Sequence, residues 1–175
     1  MCIIRNWTTR IKSGAFEQKL YYNTDLPAGS TACYNGNIAF ITWTYNGATK
    51  GYRYSYDKLN RLTEANHLVN GVSQDTYNEF FTYDKMGNID YLERSGSNST
   101  IDYLNFTYNG NQITAIMDDF VSQNSYSVKE YQDRAGNSYN EMAYDANGNL
   151  TKDLDRDILT IRYNVLNLRL CYPRL

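Results

Sequence analysis

Histidine, proline and cysteine are nearly absent from this chain, at one, two and three of 175 residues. With one histidine, any Ser-His-Asp or Cys-His arrangement would have to use His67. That residue sits in the polar stretch Ala65-Asn66-His67-Leu68, and the chain contains no G-x-S-x-G elbow. The ordinary expectation for His67 is a solvent-exposed strand or turn residue. Cys2, Cys33 and Cys171 match no metal or redox spacing, and three thiols cannot pair completely within one chain. One disulfide stays open, because sequence alone does not bring two thiols together. No stretch approaches the ~18 to 20 apolar residues of a membrane span. The start, Met1-Cys2-Ile3-Ile4-Arg5, lacks a basic n-region followed by an apolar h-region, so an export address, if the protein works outside the cell, is expected upstream in a longer parent. Basic excess is missing too: 17 Lys+Arg against 19 Asp+Glu give a net charge of -2. Nucleic-acid binders carry a clustered basic face, so no nucleic-acid partner is expected. No G-x-G-x-x-G or Walker-type loop is present, and no cofactor is expected.

What is abundant is tyrosine, with 18 residues in a chain that is 42% hydrophobic and 15% aromatic. That is too apolar for a disordered chain. Tyr, Thr, Ile and Phe favour pleated, half-buried surfaces, which points to β-structure. The tyrosines also fall in a recurring phrase of aromatic, Asp or Asn, a loop rich in Gly or Asn, then an aliphatic. The clearest copies are 56–63 (YDKLNRLT), 83–89 (YDKMGNI) and 144–151 (YDANGNLT). Contracted copies are 34–38 (YNGNI) and 108–114 (YNGNQIT), and 163–168 (YNVLNL) is degenerate. The leading tyrosines at 34, 56, 83, 108, 144 and 163 are spaced by 22, 27, 25, 36 and 19 residues, a loose period in the range of hairpin arrays and solenoids.

Apolar residues alternate ahead of each phrase: Tyr52, Tyr54, Tyr56; Phe81, Tyr83; Leu104, Phe106, Tyr108; Met142, Tyr144; Ile161, Tyr163. Period two is the strand signature with one face buried. Gly and Asn inside the phrase tolerate the positive φ of hairpin turns, and the Asp or Asn after the tyrosine can accept from backbone N–H groups two residues on. Each unit therefore reads as a strand, a braced turn and a returning strand. No helix is expected; 61–69 lacks a sustained 3.6-residue stripe. Loops are expected at 23–32, 95–100 and 118–127, and an extra hairpin in the interval from Tyr108 to Tyr144, where 133–137 (DRAGN) has the look of a decayed turn. The organisation expected is an N-terminal β segment over 1–33, a repeat array over 34–168 and an irregular tail over 169–175.

These phrases, above all 56–63 and 144–151, resemble the YD-repeat, or Rhs, family, over most of the chain from Tyr34 to about Leu168. The resemblance implies an all-β fold: antiparallel β-hairpins forming a ribbon that curves into a sheet or part of a β-spiral shell. In bacterial relatives such a shell surrounds a C-terminal toxin domain, and in animal relatives a similar barrel sits on cell-surface adhesion proteins. It implies a secreted or surface location for the parent protein, and as partners the rest of that protein or its toxin cargo. The chain departs from the family in being far shorter than a complete shell. It also lacks the aspartyl-cleavage and DPxG-like region that usually follows the repeats, and it leaves the pattern at 168–175, where Pro173 stands in place of a continuing strand.

Other sites are weighed against plainer readings. Asp153, Asp155 and Asp157 form D-x-D-x-D, but Ile158 and Asn164 stand where a calcium loop needs Gly and Glu, so these are expected to be outward acidic residues. Asp118-Asp119 is expected in a solvated turn. No carboxylate pair stands out for glycoside hydrolysis. The sequon at 98–100 carries no weight in a bacterial protein. The tyrosines with Trp7 or Trp43 could stack on sugars, giving a carbohydrate- or protein-binding surface, but packing between hairpins is the favoured reading. No catalytic, cofactor or metal residue is assigned. Open strand edges are expected to promote self-association.

Overall fold

A computed structural model describes residues 6–97, 99–119, 131–136 and 140–170. Among them there is no helix, and 49% is strand. The strands are β1 (Arg10–Ser13), β2 (Phe16–Tyr21), β3 (Phe40–Tyr45), β4 (Ala48–Tyr56), β5 (Leu62–Val69), β6 (Val72–Ser73), β7 (Glu79–Tyr83), β8 (Ile89–Ser95), β9 (Thr100–Asn109), β10 (Gln112–Asp118), β11 (Met142–Tyr144) and β12 (Leu150–Asp153). Ten of them form one antiparallel sheet in the order β1-β2-β3-β4-β5-β7-β8-β9-β10, with β6 also paired to β5; β11 and β12 form a separate pair. The sheet is not closed into a barrel. Near-sequential order is what short hairpin connections dictate. Two compact units divide the chain: Met1–Phe81 with Arg94–Ser99, and Thr82–Glu93 with Thr100–Leu175.

In the first unit, two-residue turns join β1 to β2, β3 to β4 and β5 to β6. The last two are Asn46-Gly47 (φ 48° and 81°) and Asn70-Gly71 (φ 49° and 81°), both residues left-handed, as a type I′ turn requires. Both lie outside the repeat phrase. At the other end of the strands, the phrase at 56–63 turns β4 into β5. Gly51 sits where β4 runs close to β3: a Cβ there would lie 2.5 Å from the Ile41 carbonyl oxygen. The buried apolar residues are few, namely Ala39, Phe40, Ala65 and Leu68. Half-buried aromatic rings supply the rest of the packing, such as Tyr21 against Phe40 and Trp7 against Tyr22.

In the second unit, the phrases at 83–89 and 108–114 turn β7 into β8 and β9 into β10, and the phrase at 144–151 turns β11 into β12. Leu104, Ile116 and Met142 form the core, flanked by Leu92, Phe106, Ile113, Tyr131, Tyr144 and Leu150. Leu104, Phe106, Met142 and Tyr144, read from sequence as alternating apolar residues, are among those that meet.

Several expectations change. The degenerate phrase at 163–168 keeps its turn but has no ladder strands; Tyr163 makes a single bridge, to Arg169. The contracted phrase at 34–38 lies in the loop between β2 and β3 and is not flanked by strands of its own. Residues 61–69, by contrast, where no helix is expected and the returning strand of the phrase is, hold β5 as expected. Of the interval expected to hold an extra hairpin, 120–130 and 137–139 lie outside the described residues, and 131–136 is not strand. Cys2, Cys171, Asn98 of the sequon and the tail from 171 onward also lie outside them, while Cys33 is a free thiol.

Candidate functional site

The structural features that recur are in the phrase itself. Asp57, Asp84, Asp145 and Asn164 each use one side-chain oxygen to accept two backbone N–H groups. The donors are Leu59 and Arg61, Met86 and Asn88, Asn147 and Asn149, and Leu166 and Leu168, all at 2.8–3.0 Å. The second carboxylate oxygen takes a side-chain donor: Arg61 at 2.7 Å, Asn88 at 2.8 Å, Asn149 at 2.9 Å. Three residues after the Asp or Asn, the chain turns left-handed at Asn60, Gly87, Gly148 or Asn167. Only Gly and Asn take that conformation at little cost, which explains the residue types. These donors hold the carboxylates ionised: the Arg61 backbone N–H lowers Asp57 most, and the Asn88 and Asn149 amides lower Asp84 and Asp145.

The phrase tyrosine reaches back to the preceding phrase. Tyr56 Oη donates to the Ile38 carbonyl at 2.8 Å, Tyr108 to Ile89 at 2.7 Å, and Tyr163 to Leu150 at 2.9 Å. A backbone hydrogen bond ties Tyr144 to Ile113. In every case the acceptor or partner is the aliphatic that closes the earlier phrase. The amides add a second link. Asn37 Nδ2 donates to the Asn60 carbonyl at 3.2 Å, and Asn149 Nδ2 to Asn167 Oδ1 at 3.0 Å.

The threonine that follows the aliphatic has its own role. Ladder register shifts between Ser55 and Tyr56, between Ile113 and Ala115, and between Ala143 and Tyr144. The unpaired residues are Thr63, Thr114 and Thr151, each directly after the closing aliphatic. A bulge bends its strand and increases its twist. It also frees a carbonyl: Thr114 O accepts from Glu141 N at 2.9 Å and Thr151 O from Ile161 N at 2.7 Å.

His67 corrects its sequence expectation. It lies on β5, is 5% exposed, and its ring sits between Tyr52 and Tyr77 at centroid distances of 5.5 Å. The cause is register, since β4 and β5 place His67 opposite Tyr52. Burial and Lys50 hold the imidazole below its ordinary pKa, opposed by a hydrogen bond to the Thr76 backbone. Among the described residues, Nδ1 is buried with no hydrogen-bond partner. Trp43 stacks with Tyr52 at 5.9 Å, and Tyr52 with Tyr54 at 6.1 Å. Nearby, a groove of about 690 Å³ is lined by Cys33, Tyr34, Asn37, Tyr54, Tyr56 and Asn60, among others. Burial pushes the Tyr56 phenol up to about 12.

The acidic triplet corrects its expectation as well. Asp153 is fully buried and Asp155 is 4% exposed; only Asp157 faces water. Asp153 bonds Arg156, and Asp157 bonds Arg134. Asp155 accepts Tyr131 Oη at 2.5 Å and the N–H groups of Arg134 and Ala135 at 2.9 and 3.0 Å. A loop that wraps onto these carboxylates buries them, and nothing in the local spacing announces that. Asp118 ends β10 and accepts from Tyr103 N at 2.9 Å, while Asp119 is exposed. Among the described residues no group of three His, Cys, Asp or Glu side chains is disposed to hold a metal ion. Among the described residues no helix is long and apolar enough to cross a membrane. No protein-family model matches the chain, and no curated protein matches it.

Proposed function

We propose that the chain is a structural, non-catalytic segment of a YD-repeat (Rhs-type) shell, belonging to a secreted or surface-exposed protein that encloses a toxin cargo or acts at the cell surface. The observation that carries this reading is the tyrosine link from the phrases at 56–63, 108–114 and 163–168 to the phrase before each. A turn braced by its own Asp or Asn is a local device. A tyrosine hydroxyl that seeks the closing backbone of the previous turn is a device for adding units in register. The bulged threonines bend the strand at the same place in the phrases at 56–63, 108–114 and 144–151. The resemblance of 56–63 and 144–151 to the family supports the same reading.

The test is the coding sequence on either side of this chain, translated in all frames. Further phrases with tyrosine, Asx turn, aliphatic and threonine in the same order are expected. Unrelated flanks would overturn the shell reading. A second reading, a carbohydrate- or protein-binding surface, is favoured by the Trp43–Tyr52–Tyr54 stack. It requires saturable quenching of tryptophan fluorescence by members of a glycan panel, and a flat response counts against it.

A further inference from the structure

Segment 131–136 is not strand, yet every hydrogen bond described for its backbone N–H groups ends on a carboxylate. Tyr131 N donates to Asp102 at 2.7 Å, Arg134 N and Ala135 N to Asp155, and Gly136 N to Asp133 at 2.7 Å. Asp133 in turn accepts Asp118 N from the end of β10 at 3.1 Å. The segment is a strap laid over β10 and the turn after β12, held by acids.

Behind it lies Glu141, fully buried. Its Oε2 accepts Ile116 N at 3.1 Å, while Oε1 is buried and meets no donor among the described residues. The side chain within hydrogen-bonding reach of this carboxyl is Asp155, itself an acceptor already carrying three donors. Two ionised carboxylates cannot share such a site cheaply; one of them keeps a proton. Glu141 Oε1 is the buried carboxyl oxygen that lacks a donor among the described residues, so the proton belongs to Glu141.

We propose that Glu141 and Asp155 form a one-proton latch for the 131–136 strap, closed when Glu141 is protonated and released when it ionises. Among the described residues, none of the other charged or titratable groups around the pair gives Glu141 Oε1 a donor. From the strap come Asp133, Tyr131 and Arg134; from the turn after β12 come Asp153, Arg156 and Asp157; from β9 and β10 come Asp102 and Asp118. Both arginines are already engaged, Arg134 with Asp157 and Arg156 with Asp153. Burial, assisted by Asp155 and Asp133 and opposed by the Ile116 N–H, lifts the Glu141 carboxyl to about 7. Raised above its ordinary value of 4.5, the group stabilises the closed state fully below pH 4.5, and this contribution is lost as the pH rises from there through about 7.

The experiment is amide hydrogen exchange of the whole chain from pH 5.5 to 8.5, corrected for intrinsic rates. Protection at Arg134 and Ala135 is expected to fall by up to about tenfold per pH unit from pH 5.5 to the Glu141 midpoint, the limit for one linked proton, and to level off above it. Amides in the β3–β4 ladder serve as the reference and are expected to hold. Glu141→Gln keeps an acceptor for Ile116 N and offers Asp155 a permanent donor, so its strap should stay protected across the range. Carbon-13 titration of the wild-type Glu141 carboxyl gives a reading that needs no variant, with a midpoint near 7 expected. A midpoint in the ordinary carboxylate range would overturn the proposal. So would pH-independent protection of the wild-type strap, or the same loss of protection in Glu141→Gln.

Discussion

A tyrosine hydroxyl on a neighbouring carbonyl is a small interaction that this chain uses repeatedly. A hydrogen bond of this kind contributes about 1 kcal/mol net. Tyr108→Phe keeps the ring beside Phe106 and removes only the donor to Ile89. The expected loss is about 1 kcal/mol in urea unfolding with an unchanged m-value. Titration at the residue scale has two opposed directions. Asp84 and Asp145 are held below their ordinary pKa by donors in their own turns. Their contribution is present above the unfolded value of 3.8 and is lost as pH falls through the folded value. Asp84→Asn and Asp145→Asn should each flatten the acid limb of a thermal-stability profile between about pH 2 and 5. His67 is also depressed, so its neutral form is favoured in the fold. Stability is undiminished above 6.5 and declines as pH drops through the folded value. His67→Gln should remove that decline; a profile as steep as wild type below pH 6.5 would assign it to other groups.

The hairpins are specified by different means at their two ends in the first unit. At one end Asn46-Gly47 and Asn70-Gly71 supply two consecutive left-handed residues. At the other, the phrase at 56–63 supplies an Asx brace, a left-handed residue at Asn60 and a bulged threonine. The brace and the tolerance for positive φ were legible in the sequence, because an Asp or Asn followed by Gly or Asn has few other uses. The bulge was not, although its threonine recurs in plain view at Thr63, Thr114 and Thr151. A register shift is a relation between two strands, and one strand's sequence does not reveal its partner's count. Gly51 has the same character: nothing in its neighbourhood in sequence marks it, yet β3 and β4 approach there too closely for a Cβ. Gly51→Ala is expected to destabilise by about 1–3 kcal/mol as an overpacked site, measured by chemical denaturation. Gly47→Ala has open space but a φ of 81°, so it is expected to cost through backbone strain alone.

At the scale of the whole chain, burial is thin and rings and hydrogen bonds carry much of the order. The edge strand β1 is exposed along its length, with Arg10 and Lys12 flanking an Ile11 that is 47% exposed. Cations on an edge discourage pairing, and an apolar residue between them invites it. Concentrated samples should contain dimers or larger species by light scattering, and Ile11→Lys should reduce them; a monodisperse wild-type monomer would contradict this. What the sequence by itself determined is the local grammar: period-two strands, Asx-braced turns, no helix, and a unit that repeats. These follow from backbone conformational preference and side-chain reach within a few residues. What only the tertiary structure decided is which polar groups lose contact with water. His67, Asp153, Asp155 and Glu141 look like surface residues in any short window. They are buried because a strand register or a returning loop covers them, and burial is set by segments many residues away.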